Sequence, residues 1–140
     1  MNTKKEFKRI MKEQTNIALA TSVDGISNVR IVNFVYDEEA KVLLFASFED
    51  NEKVKELEKN NKASFTTIPH NGNEHIKAKG EVKKSEYNIF DKQEQFISKI
   101  PDYKDMIEQA GQFLILYELT FMEAIVTLDF ENIDTLQLEA

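Results

Sequence analysis

The segment from Asn28 to Ala63, NVRIVNFVYDEEAKVLLFASFEDNEKVKELEKNNKA, constrains the fold more than any other stretch. Strand, turn, strand and helix patterns follow one another in it without a linker. Over Asn28–Tyr36 successive side chains alternate between two faces. Val29, Ile31, Asn33 and Val35 share one face; Arg30, Val32, Phe34 and Tyr36 share the other. Arg30 and Asn33 are therefore single polar side chains in apolar rows, on opposite faces. Asp37-Glu38-Glu39-Ala40 supplies a turn, and Val42–Ser47 returns as a nearly continuous apolar strand ending on a hydroxyl. A helix follows from about Asp50 to Lys59, with Val54 and Leu57 inward and Lys53 in its first turn.

That order of elements has a chemical consequence. The start of a helix presents unsatisfied amide N–H groups and a partial positive charge, so an anion placed there is stabilised. Ser47 can donate its hydroxyl to the same anion and Lys53 can add a full charge, each charge-assisted bond contributing about 1.5–3 kcal/mol. Pattern alone favours the plainer reading, in which Lys53 is a solvated helix residue and Ser47 ends a strand.

The run R-I-V-N-F-V-Y-D, then L-L-F-A-S, then K-V-K-E-L-E-K-N-N after five residues, resembles the flavin-binding core of the pyridoxamine 5'-phosphate oxidase-like family. The resemblance implies a mainly β chain with α elements: an antiparallel split β-barrel with flanking helices, filling residues 1–140 as one FMN-binding domain. It implies FMN as cofactor. Arg30, Ile31, Val32 and Asn33 would form the strand beside the flavin ring. Ala46 and Ser47 would end the next strand, and Asn51 and Lys53 would lie beside the phosphate. His75 falls where a polar residue contacts the flavin from a second subunit, so a homodimer with flavin at the subunit interface is implied. One departure stands out: many members carry a second basic residue just before the lysine, and here that position is Glu52, with Glu49 and Asp50 close by. Carboxylates beside a phosphate weaken its binding unless they point to water.

The remaining chain fits such a barrel. Thr3 and Glu6 form a T-x-x-E capping box that predicts a helix from residue 3 to about 14. Ile17–Ser22 reads as a strand, and Asp24-Gly25 as a tight hairpin turn into the Arg30 strand. Ala63–Ile68 is an apolar strand, and Asn71-Gly72 returns the chain into Glu74–Lys84. Ser85–Ile100 reads as a helix broken by Pro101, with a second short helix after Asp102. Gln112–Thr120 and Glu123–Phe130 read as two adjacent strands, and the tail adds an edge strand or stays loose.

Composition removes several functions. A net charge of −7 with interleaved lysines argues against nucleic acid as a partner. With no cysteine, thiol chemistry and thiolate metal sites are absent, and the reducing cytoplasm is permitted. No apolar run approaches a membrane span, so no membrane partner is expected and the cytoplasm is the default location. His70 and His75 lack a third ligand at suitable spacing, so no metal site is expected; a lone His at a strand start is usually a surface residue. No G-x-G-x-x-G follows a strand and no nucleophilic triad is indicated, so catalytic residues remain unassigned. The C-terminal DFENIDTLQLEA lacks the Arg and His that true pyridoxamine 5'-phosphate oxidases carry there. An FMN-dependent oxidoreductase is the leading expectation, with a small-molecule substrate or a nicotinamide donor as its partner. The alternatives are a flavin sensor or carrier without turnover, and a split barrel using heme, deazaflavin or no cofactor.

Overall fold

The computed structural model describes residues 1–138. Its elements are α1 (Thr3–Glu13), β1 (Asn16–Val23), β2 (Ile26–Asn33), β3 (Val35–Asp37), β4 (Val42–Phe48), α2 (Glu52–Lys59) and β5 (Lys62–Thr67). They continue as β6 (His75–Lys84), α3 (Gln93–Lys99), α4 (Tyr103–Ala110), β7 (Leu114–Thr120), β8 (Glu123–Thr127) and β9 (Ile133–Gln137). All the strand pairings are antiparallel, in the order β2-β1-β5-β6-β7-β4-β3, with β8 added to β6 and β9 to β8. Because β3 follows β2 after the single residue Phe34, this order brings the sheet back on itself as a barrel. The antiparallel split-barrel expectation is met.

Turn chemistry sets the hairpins. Asp24 and Gly25 both have positive φ, 53° and 79°, as the mirror-image turn between twisted strands requires. The alternation of β1 places Ile17, Leu19 and Thr21 inward, and that of β6 does the same for Ile76, Ala78 and Val82. In β4 both faces are covered. Leu43 and Phe45 fill the barrel, whereas Val42, Leu44 and Ala46 pack against Ile89, Phe96 and Ile107 of the helical insert. That double burial explains the unbroken apolar run, since neither face of Val42–Phe45 meets water. Val54 and Leu57 of α2 close one end of the barrel and belong to its core.

Three local expectations are corrected. The cap of α1 is Asn2, whose side chain accepts from the Lys5 amide; Thr3 is already helical, and its hydroxyl donates to Asp134 of β9. The predicted helix over 85–100 begins only at Gln93. Asn88 and Asp91 each bond the other's amide, at 2.9 and 3.0 Å, and these local bonds hold a turn in place of helix. Finally, β7 and β8 do not pair with each other. Both lie along the same edge of β6, β7 against Glu81–Lys84 and β8 against His75–Ala78, so the chain passes from one to the other through a kink at Phe121-Met122. Gly80 permits that passage: a Cβ there would stand 1.9 Å from the Thr120 carbonyl oxygen.

Candidate functional site

The barrel wall opens beside the strand that carries Arg30. β4 pairs with β3 only over Val42–Leu44, yet it runs on to Phe48. β2 pairs with β1 along its whole length, and among the described residues no main-chain bond joins its other edge to β4. Continuing the β3–β4 register would set Asn33 opposite Ala46 and Ile31 opposite Phe48, but the ladder stops short. Phe34 causes the gap. Its side chain is fully buried, its amide donates to the Thr15 carbonyl at 3.1 Å, and Lys99 donates to its carbonyl at 3.0 Å. The backbone kink fixed in this way turns β3 onto β4 and holds β2 away from it. The result is a seam whose lips, Arg30–Asn33 and Ala46–Phe48, both present free main-chain groups.

At the end of this seam sits α2 with a small polar cluster. Asn51 caps the helix, its side chain accepting from the Lys53 amide at 3.0 Å. Lys53 is only 6% exposed and Ser47 only 3%. The Lys53 ammonium makes no hydrogen bond or ion pair with any described residue. Burial pushes its pKa down, the neighbouring Arg30 charge adds to that effect, and Glu56 opposes it. The Ser47 hydroxyl has only the Phe48 carbonyl as acceptor, at 3.3 Å. A lysine buried along its stem, whose ammonium has no protein partner among the described residues, is electrostatically incomplete at a barrel end, and an anion would complete it. Glu49, Asp50 and Glu52 are exposed to water, which answers the sequence-level objection that they would crowd such an anion.

Arg30 is placed differently from its neighbours. Its Nη2 meets Glu56 Oε1 of α2 at 2.5 Å, and its Nη1 donates to Thr21 Oγ1 at 2.7 Å. Glu56 also accepts from Asn28 Nδ2 at 2.6 Å. The guanidinium is thus engaged by protein groups and only partly exposed. Ile31 points outward at 66% exposure with Val29 at 70%, whereas Val32 packs on the barrel core. Asn33 donates to Asn16 Oδ1 at 2.5 Å, and Ala46 packs under the helical insert. His75 stands apart from all of these. It begins the ten-residue β6, whose other end, Lys84, lies 3.9 Å from Glu58 on α2. One protomer therefore brings together the lips and the Lys53 corner but not His75, whose ring bonds the Asn73 carbonyl at 2.6 Å. The sequence reading missed Glu56, Thr21 and Asn28. Thr21 and Asn28 pair across the hairpin, but Glu56 is one of several helix carboxylates and only the fold singles it out.

Among known proteins, the family model described as pyridoxamine 5'-phosphate oxidase-like matches residues 10–133. No curated protein matches the sequence. Solved structures share the fold at low identity. A NimC/NimA family protein from Clostridium acetobutylicum aligns with TM-score 0.74 and 21% identity, over 96% of this chain and 91% of that one. An FAD-binding protein from Mesorhizobium loti aligns with TM-score 0.63 and 15% identity, over 84% and 88% of the two chains. The heme storage protein HutZ from Vibrio cholerae aligns with TM-score 0.67 and 17% identity, over 86% and 91%.

Proposed function

The chain belongs to the pyridoxamine 5'-phosphate oxidase-like family, and we propose that it is an FMN-binding member of it, acting as an oxidoreductase on a small molecule. The observation that carries this reading is Lys53, a residue only 6% exposed whose ammonium has no hydrogen-bond or ion-pair partner among the described residues, at the end of an open seam. Lys53, Ser47 and the amides at the start of α2 would hold the flavin phosphate, with Asn51 fixing the helix end. The free main-chain edges of Arg30, Ile31, Val32 and Asn33 on one lip and Ala46 on the other would flank the ring. FMN supplies the hydride or electron chemistry; the protein orients and shields it.

The reading includes a homodimer in which His75 of one protomer reaches the flavin held by the other. The outward row of β2, on which Val29 and Ile31 are both exposed, supports an interface there, since such an apolar pair is otherwise solvated at a cost. We place all of this in one domain spanning residues 1–140, in the cytoplasm, where the absence of cysteine is unremarkable. Among the described residues no helix is long and apolar enough to cross a membrane.

HutZ makes heme the alternative ligand. An ammonium–hydroxyl pair suits a phosphate, and flavin is favoured on that ground. The experiment is to purify the protein, load it with FMN and record the spectrum. Flavin bands support the reading, and bleaching by NADH or NADPH at catalytic rates separates an oxidoreductase from a carrier. The double variant Ser47→Ala, Lys53→Ala is expected to lose the flavin while keeping its circular dichroism. Unchanged flavin content in that variant would refute the site.

A further inference from the structure

The polar cluster under α2 contains two cations and one partly buried anion, and the way they divide is not symmetrical. Arg30 uses both terminal nitrogens on the protein, on Glu56 at 2.5 Å and on Thr21 at 2.7 Å, with the Leu19 carbonyl 3.4 Å away. Glu56 is in turn fixed by Asn28 at 2.6 Å. Lys53 takes no part in these bonds. Arg30 and Glu56 therefore cancel one another, and the seam end carries the net charge of one lysine.

We propose that Glu56 sets the charge of the anion this site accepts. By engaging Arg30 it removes the second positive charge that a phosphate dianion would otherwise meet, so the site holds phosphorylated flavin loosely and as an exchangeable ligand. Glu56 acts through Arg30 and is a positioning residue; it touches no part of the flavin. The inference rests on the flavin reading given above, and it narrows what Arg30 does: its main chain lines the ring, while its guanidinium is internal structure. The exposed carboxylates Glu49, Asp50 and Glu52 are screened by water and salt and contribute far less than the enclosed Glu56.

The test compares FMN with riboflavin, which has the same ring and no phosphate, by fluorescence titration of the flavin-free protein. Glu56→Gln deletes the negative charge and keeps one acceptor oxygen, enough for Arg30, while the Asn28 bond to the second oxygen is given up. FMN binding is expected to tighten roughly tenfold and to become more salt-sensitive, with riboflavin binding unchanged. A merely structural role would weaken both ligands together. FMN binding that is unchanged or weaker in Glu56→Gln overturns the proposal. Should that variant not fold, Arg30→Gln with Glu56→Gln decides, because it removes both charges of the pair at once. FMN affinity within about threefold of wild type is expected there, and a larger loss shows that the Arg30 charge serves the ligand. If wild-type protein takes up neither flavin, the flavin reading fails by itself. Glu56 is then judged by whether Glu56→Gln gains FMN binding; no gain overturns the inference as well.

Discussion

Replacing Lys53 by Met separates the two costs that this side chain balances. Methionine keeps the length and the apolar stem and deletes the ammonium. In the ligand-free protein Lys53 as a residue is 6% exposed, and its ammonium has no acceptor among the described residues and lies near the Arg30 charge, with Glu56 giving partial relief. Its removal relieves a desolvation penalty, so the variant should be the more stable protein. A gain of about 1 kcal/mol corresponds to roughly 3 °C in melting temperature for a chain of this size. With FMN bound, the same ammonium meets a phosphate, and a charge-assisted bond of about 1.5–3 kcal/mol is lost, or roughly ten- to 150-fold in affinity. Titration of the flavin-free variant with FMN and riboflavin, beside thermal unfolding, reads both quantities. The expected signature is FMN affinity down, riboflavin affinity unchanged and melting temperature up. A melting temperature several degrees lower would show that Lys53 is satisfied inside the fold. An FMN affinity within about threefold of wild type would show that the anion sits elsewhere.

Two further outcomes test the architecture that positions the seam. Lys99 donates to the Met11 and Phe34 carbonyls at 2.9 and 3.0 Å, and burial pulls its pKa down to about 7. Between about 7 and 10.5 the unfolded chain keeps a proton that the folded chain has released, so wild-type stability should rise with pH in that window, by at most about 1.4 kcal/mol per unit. Urea unfolding of wild type and Lys99→Met across that range checks it: the rise should be missing from the variant. Ile31→Asp tests the interface. At 66% exposure the change should cost the isolated fold no more than about 0.5 kcal/mol. A carboxylate buried without a partner between protomers is expensive, so sedimentation should show dimers for wild type and monomers for the variant. Dimers for both would move the interface off β2.

What the sequence disclosed and what it withheld divide along a physical line. Local chemistry was legible. Asp24-Gly25 can hardly do anything but turn, the alternation of β1 and β6 fixes their faces, and the apolar run of β4 demands cover on both sides. Spacing also placed Ser47 and Lys53 at one barrel end, because a strand terminus, a capped turn and a first helical turn leave the chain little freedom. Non-local consequences were hidden. The helix expected over 85–100 was overruled by two reciprocal side-chain bonds, and the pairing expected between β7 and β8 by a glycine on a third strand. The same holds for the charge at the site. Lys53 read as the cation available to an anion and Arg30 as part of the strand beside the ring, and counting acids near Lys53 pointed to repulsion. In the fold those acids face water, and the carboxylate that counts is Glu56, which is 26 residues from Arg30 in sequence and 2.5 Å from it in space. Available charge is what remains after internal pairs are subtracted. Subtraction needs the geometry, and with Arg30 paired to Glu56 it leaves Lys53 as the charge at the seam end.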